Sequence, residues 1–282
     1  MNDCPMPRRP TIALAYDFDG TLSPGSMQEH SFIPEIGEDK ETFWQRSNEE
    51  AARLGADRTL IYMHHMVRAA ENADKPFTRA DIRRHGESVS FFPGVEDWFG
   101  RIRAYGDERG LEVTHFIISS GLKEMILGTA IGDKVTGVFA CDFKYDANQV
   151  PVWPALAVNY TTKTQFLFRI NKWALDLSDD RAVNAYTPED ERPVPFRNMI
   201  FLGDGETDVP CMRTVKASGG VSIAVYAPGD ERGERTAQGL IAQNRVHAAR
   251  VADYTEGSAL DGYVKAAIDR MAAVEKLKAL EG

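Results

Sequence analysis

Asp17 and Asp19 stand two residues apart in the run Tyr16-Asp17-Phe18-Asp19-Gly20-Thr21, directly after the apolar stretch Ile12-Ala13-Leu14-Ala15. Two carboxylates crowded where a buried strand gives way to a loop repel each other. A divalent cation, or unequal protonation, relieves that repulsion. Gly20 lets the backbone turn away from the strand. Three further runs carry matching chemistry. Phe116-Ile117-Ile118-Ser119-Ser120-Gly121 ends an apolar stretch in hydroxyls and a glycine, which can offer a hydroxyl and backbone N–H groups to an anion, above all if a helix starts there. Tyr160-Thr161-Thr162-Lys163 puts a cation at the predicted start of a helix, a poor place for it unless an anion lies nearby. Phe201-Leu202-Gly203-Asp204-Gly205-Glu206-Thr207-Asp208 ends another apolar stretch in glycine-flanked acids. Singly, these are turns, a helix cap and a surface lysine. Together, acids from two strand ends can form an oxygen cage for Mg²⁺, and the hydroxyl, amides and lysine can hold the other oxygens of a phosphoryl group. Lys123, the nearest cation to Ser119, is expected on the exposed face of the next helix.

Four strand-like runs position these residues: Thr11 to Tyr16, Val113 to Ile118, Asn198 to Leu202 and Gly220 to Tyr226. Their apolar residues are nearly continuous, as in strands covered on both faces. Helical patterns fall between them, at Glu96 to Gly110 and Thr164 to Leu177. Such alternation predicts an α/β fold with a doubly wound, mostly parallel sheet, whose ligands sit beyond the carboxyl ends of the strands. From Ser23 to Phe91 the pattern is helical only, with caps at Asp39, Asp57 and Thr78. The expected organisation is a core of residues 1–22 and 92–282, with a helical cap of residues 23–91 inserted after the first strand. Val138 to Tyr160 reads as a hairpin around Asp146-Ala147-Asn148-Gln149. Arg232 to Gln243 is polar and is expected to form an exposed loop, and Ala259 to Leu280 a helix packed on the core.

Composition narrows the possibilities. The 282 residues include 33 Lys and Arg against 42 Asp and Glu, a formal net charge of −9. That argues against a nucleic-acid surface, which needs clustered cations. No apolar stretch is long enough to span a bilayer, and Met1 to Pro10 has no apolar signal core, so no membrane partner and a cytoplasmic location are expected. The three cysteines, Cys4, Cys141 and Cys211, are widely spaced without a CxxC pair, so reduced thiols are expected rather than a disulfide framework or zinc site.

The four chemistry-bearing runs, in this order, resemble the haloacid dehalogenase-like hydrolase superfamily, with its Rossmann-like core. The similarity spans Thr11 to Leu22 and Phe92 to about Tyr254. The helical insertion and the hairpin before Lys163 resemble the phosphoserine phosphatase-like branch. The resemblance implies a Mg²⁺-dependent phosphatase acting on a small phosphorylated metabolite. It implies Asp17 as nucleophile and metal ligand, and Asp19 as general acid and base, its main-chain carbonyl also on the metal. It implies Ser119 and Lys163 on the phosphoryl group, Asp204 as a further metal ligand, and Asp208 orienting the metal shell or Lys163. Thr21, Ser120 and Gly121 would support the site.

Two other functions use the same residues: a phosphomutase of this fold, and a catalytically silent relative that binds a phosphorylated ligand. Asp19 argues against a C–halogen hydrolase, which needs no acid there, and the absence of spans against an ion pump. The phosphoserine phosphatase-like branch holds its substrate's amino acid end with an acid soon after the first motif and a cap arginine. Here Glu29 and His30 are the expected substrate contacts, and Arg68, Arg83 and Arg84, beside His64 and His65, the candidate cap cations. The spacing of Glu29 from Asp17 departs from the branch pattern, which argues against phosphoserine itself.

Overall fold

Thr11–Tyr16 forms β1, and all six of its residues are buried. A strand with helices on both faces needs such a continuous apolar run. The computed structural model describes residues 6, 7 and 9–281. After β1 come α1 (Phe32–Glu35), α2 (Lys40–Leu54), α3 (Arg58–Asn72), α4 (Arg79–His85) and α5 (Val95–Asp107). Then follow β2 (Glu112–Leu122), α6 (Lys123–Leu127), β3 (Gly137–Tyr145), β4 (Pro151–Leu156), α7 (Lys163–Lys172) and α8 (Asp180–Asn184). The chain ends with β5 (Met199–Gly203), α9 (Val209–Ala217), β6 (Val221–Tyr226), α10 (Glu231–Ala242), β7 (Ala248–Val251) and α11 (Ala259–Glu281).

The strands form one seven-stranded sheet in the order β4-β3-β2-β1-β5-β6-β7. Every neighbouring pair is parallel except β3 with β4. Tyr16, the last residue of β1, lies between Ile117 of β2 and Leu202 of β5. The chain first winds from β1 toward one edge and then returns to its other side. The carboxyl end of β1 is therefore the switch point, where such sheets leave a crevice.

Several elements differ from expectation. Residues 232–243, expected as a loop, lie almost wholly in α10, which Asp230 caps by accepting from Arg232 N and Gly233 N. Polarity misled because the helix buries only Ala237 and Leu240. β3 is more than a hairpin arm, since it also pairs with β2 and extends the parallel sheet. β7, with four residues, and α8, with five, are too short to stand out. Cys141 and Cys211 are free and buried, while Cys4 lies outside the described residues. Among the described residues, no helix is long and apolar enough to cross a membrane.

The insertion between β1 and α5 begins and ends at a hydrogen-bonded pair, Phe92 N donating to Leu22 O at 3.0 Å. Its helices start where short polar side chains satisfy their first N–H groups. Asp39 accepts from Thr42 N, Asp57 from Thr59 N and Leu60 N, and Thr78 and Asp81 form a reciprocal capping box. α4 lies backbone to backbone on α6. A Cβ on Gly86 would come 2.1 Å from Met125 O, and one on Gly128 1.8 Å from Arg83 O. The contact is pinned by Arg79, which donates to buried Glu124 Oε1 from Nε at 2.9 Å and Nη2 at 2.6 Å.

A buried polar chain lies under the end of β1. Trp98 Nε1 donates to Tyr16 OH at 2.8 Å, and that hydroxyl lies 3.0 Å from His115 Nδ1. Burial, then the Arg103 charge, holds His115 well below its ordinary pKa, so it is neutral in the fold. The unfolded chain protonates this histidine below about pH 6.5, whereas the native state resists. Stability is thus intact above that pH and falls by about 1.4 kcal/mol per unit below it. His115→Phe should be less stable at pH 7.5, because the Tyr16 hydroxyl loses its acceptor. It should also lose less stability on acidification to pH 5.5, as urea midpoints would report. Equal acid sensitivity of the two proteins would count against a neutral His115.

Candidate active site

Asp17 follows β1 directly, and its N–H donates to Leu202 O at 2.9 Å, fixing it against β5. Lys163 opens α7 and is 1% exposed. Its Nζ donates to Asp17 Oδ1 and to Asp208 Oδ1, both at 2.7 Å. One carboxylate oxygen each from Asp17, Asp204 and Asp208 lies within 4.8 Å of the others. Asp204 comes from the loop after β5, and Asp208 from the start of α9. One ammonium therefore faces three acids.

The imbalance appears in their protonation. Burial, then the Asp208 charge, pushes Asp17 up to about 6 despite Lys163. Burial, then Asp17 and Asp208, holds Asp204 well above the usual carboxylate range. Burial opposes the Lys163 charge, but Asp17 and Asp208 more than reverse this and hold its pKa above the ordinary lysine value. Asp208 Oδ2 is buried without a hydrogen-bond partner. A buried, orphaned carboxylate oxygen beside two further acids is a donor set that suits a hard divalent cation such as Mg²⁺. Gly20 gives this cluster room. Its φ is +77°, and a Cβ there would lie 2.3 Å from Asp204 Oδ2.

Asp19 is held apart from the cluster. Its Oδ1 accepts from Met27 N at 2.8 Å. Burial, then the Asp17 charge, pushes it up to about 8. The Met27 side chain reaches back to β2, where Leu122 N lies 3.3 Å from its sulfur. A Cβ on Gly121 would lie 2.0 Å from Met27 Cε, so the glycine makes space for the residue that anchors Asp19.

Ser119 is 1% exposed, and its Oγ accepts from Gly121 N at 2.9 Å. The run Ser119-Ser120-Gly121 does not end the strand as expected. β2 continues to Leu122, and its pairing with β3 breaks between Ile118 and Leu122. The helix that follows, α6, has only five residues. Lys123 is half-buried and pairs with Asp142 at 3.4 Å rather than standing in solvent. The Ser120 carbonyl accepts from Tyr62 OH at 2.5 Å. Thr21 is fully buried, its carbonyl accepting from Tyr254 OH at 2.8 Å and its Oγ1 unpartnered.

Two cavities meet at Asp19. The larger, about 620 Å³, runs toward the helical insertion and is lined by Gln28, Trp44, Asp57, Arg58 and Tyr62, among others. The second, about 360 Å³, lies on the side of Gly20, Asp204 and Asp230. Glu29 and His30, the expected substrate contacts, line neither. Glu29 Oε1 accepts from Trp44 Nε1 at 2.9 Å, and its Oε2 is 3.7 Å from Lys40. His30 Nε2 lies 3.3 Å from Ser23 Oγ and 3.0 Å from Pro24 O, and its Nδ1 3.4 Å from Ser90 Oγ, tying the two strands of chain that join insertion to core. Arg68, His64 and His65 line a separate cavity of about 250 Å³, and Arg84 pairs with Glu35 and Asp81. Of the residues that line the large cavity, Asp19 and Ser120 are singled out by the sequence, whereas Gln28 and Arg58 are not. A glutamine beside a glutamate carries no signal until its burial is known.

Fold and site together define an α/β protein whose acids converge at the switch point of a mostly parallel sheet. The family model described as haloacid dehalogenase-like hydrolase matches residues 14–213. The chain belongs to that family. An uncharacterized protein of Borreliella burgdorferi is 26% identical over 284 residues, covering 91% of this chain and 96% of its own. A phosphoserine phosphatase solved as a phospho-aspartyl intermediate analogue superposes with a TM-score of 0.55 at 16% identity, over 91% of this chain and 99% of that one. An HAD-family hydrolase of Salmonella enterica serovar Typhi also gives 0.55, at 17% identity, over 86% of this chain and 68% of that one. At these identities the superpositions speak for the shared fold.

The acid cluster costs stability when no cation is bound. Asp204→Asn removes the carboxyl whose ionisation burial and its two acidic neighbours disfavour. Its melting temperature without metal should rise by about 3 °C, roughly 1 kcal/mol in a chain of this size. The further rise on adding Mg²⁺ should shrink relative to the parent protein. Thermal melts with and without Mg²⁺ test both, and an unchanged Mg²⁺ response would remove Asp204 from the cation site.

Proposed function

We propose that the protein is a Mg²⁺-dependent phosphatase that hydrolyses a small phosphorylated metabolite through an aspartyl-phosphate intermediate. The observation that carries this is Lys163 Nζ spanning Asp17 and Asp208 at 2.7 Å on each side, beside Asp204. A carboxylate attacks a phosphate ester poorly because both are negative, and this arrangement supplies what the attack needs.

In the proposed reaction Asp17 attacks phosphorus in line with the departing alcohol. The P–O bond to the alcohol breaks, and Asp19 gives its proton to that oxygen. The Met27 N–H holds the Asp19 carboxyl at the junction of the two cavities, from which the alcohol would leave into the larger. Asp19 then takes a proton from water, which attacks the aspartyl-phosphate and returns Asp17 as a carboxylate with release of phosphate. Ser119 donates its hydroxyl to a phosphoryl oxygen. Lys163 keeps Asp17 ionised and placed, and Asp208 keeps Lys163 placed. Asp17, Asp204 and the main-chain carbonyl of Asp19 would hold Mg²⁺, which when bound offsets the charge of the phosphoryl oxygens. Gly121 and Ser120 support Ser119 and Met27, and Thr21 supports the turn after Asp19. Residues 23–91 would act as the cap that limits water at the site.

The purified protein should release p-nitrophenol from p-nitrophenyl phosphate with Mg²⁺ and lose this activity in EDTA. Asp17→Asn should be inactive, and Asp19→Asn should fall by about a hundredfold or more. Retention of full activity by Asp17→Asn would rule out the mechanism.

A further inference from the structure

Gln28 is 1% exposed, yet its Oε1 has no hydrogen-bond partner. It lines the 620 Å³ cavity beside Asp19 and directly follows Met27, whose N–H holds the Asp19 carboxyl. A buried amide oxygen without a partner is costly and calls for a ligand donor that completes it. The charges around the same cavity narrow what that group can be. Among the described lining residues, the one carboxylate besides Asp19 is Asp57. Asp57 is already used, accepting from Thr59 N at 2.8 Å, from Leu60 N at 3.2 Å and from Asn159 Nδ2 at 2.7 Å. Arg58 is the single cation among the described lining residues. It stands at the first position of α3, where the helix dipole disfavours a positive charge.

We infer that Gln28 selects the leaving group, and that the substrate is the phosphate ester of a hydroxylated alcohol with no amine near the phosphorylated carbon. This rests on the phosphatase function proposed above. A hydroxyl donates to the orphaned Gln28 Oε1 without bringing a charge into the cavity. An ammonium also donates to that oxygen, but it brings a charge that is desolvated here, beside a carboxylate already shared among three donors. Arg58 adds to the penalty and favours leaving groups that are neutral or anionic.

Three esters of nearly the same shape isolate the amine. Glycerol 3-phosphate and 3-phosphoglycerate carry a hydroxyl where O-phosphoserine carries an ammonium, and 3-phosphoglycerate shares the phosphoserine carboxylate. Each is titrated as a competitive inhibitor of p-nitrophenyl phosphate hydrolysis by the Mg²⁺-loaded protein, which reports binding whether or not the ester is turned over. The expected result is that 3-phosphoglycerate binds at least about tenfold tighter than O-phosphoserine, the discrimination typical of a buried polar group matched or unmatched. Gln28→Glu should narrow or invert that ratio within the same preparation. Equal or tighter binding of O-phosphoserine by the parent protein would overturn the assignment, as would failure of both hydroxylated esters to inhibit. A ratio unmoved in Gln28→Glu would take the selection away from Gln28. Failure to hydrolyse p-nitrophenyl phosphate at all would instead strike the phosphatase function and this proposal with it.

Discussion

A buried ammonium between two carboxylates is the interaction on which the rest of the site depends. Lys163 sits at the start of α7, Asp17 at the end of β1 and Asp208 at the start of α9, three elements far apart in sequence. Burying any one of these charges alone would cost several kcal/mol, and stripping one partner from such a buried set typically costs about 3–5 kcal/mol. The triad therefore fixes where the elements meet. It leaves one acid too many, however, because Asp204 shares the same space. Lysine alone does not balance the set, and the surplus negative charge is what suits the site to a cation.

The sheet order makes this meeting possible. With β1 central and its neighbours reached by crossovers in opposite directions, the loops after β1 and β5 emerge side by side. The loop after β1 turns at Gly20, where a side chain would collide with Asp204. The loop's next anchor is Met27, which holds Asp19 with its backbone and β2 with its side chain. Two acids only two residues apart thus end up in different settings, one bonded to a lysine and one to a backbone amide.

Much of this was legible in the sequence because it was written in strong local signals. β1 falls on the residues expected, Asp39, Asp57 and Thr78 cap the helices they were expected to cap, and Lys163 opens its helix. The acids at the ends of β1 and β5 were visible as departures from apolar runs. What escaped depends on tertiary context. α10 buries two side chains, too few to mark a periodicity. The extension of β2 through Ser119 and Gly121 reflects packing against Met27 rather than strand propensity. Glu29 drew attention as a charge, whereas its neighbour Gln28 became informative only through burial without a partner. Tertiary placement, more than residue type, separates the two.

The glycine contact between α4 and α6 bears on how substrate gets in. Gly86 and Gly128 bring the two backbones together with no side chain between them, and Arg79 clamps the same joint onto Glu124. Such a joint has no lubricating layer of side chains that could slide. An opening that swung the whole insertion as one lid would have to break it. The pair α2 and α3 instead carries Trp44, Arg58 and Tyr62 on the cavity wall and is tethered to β2 through the Tyr62 hydroxyl. On the function proposed above, an entry that left this joint intact would be confined to the α2 and α3 half of the insertion, with α4 as its fixed side.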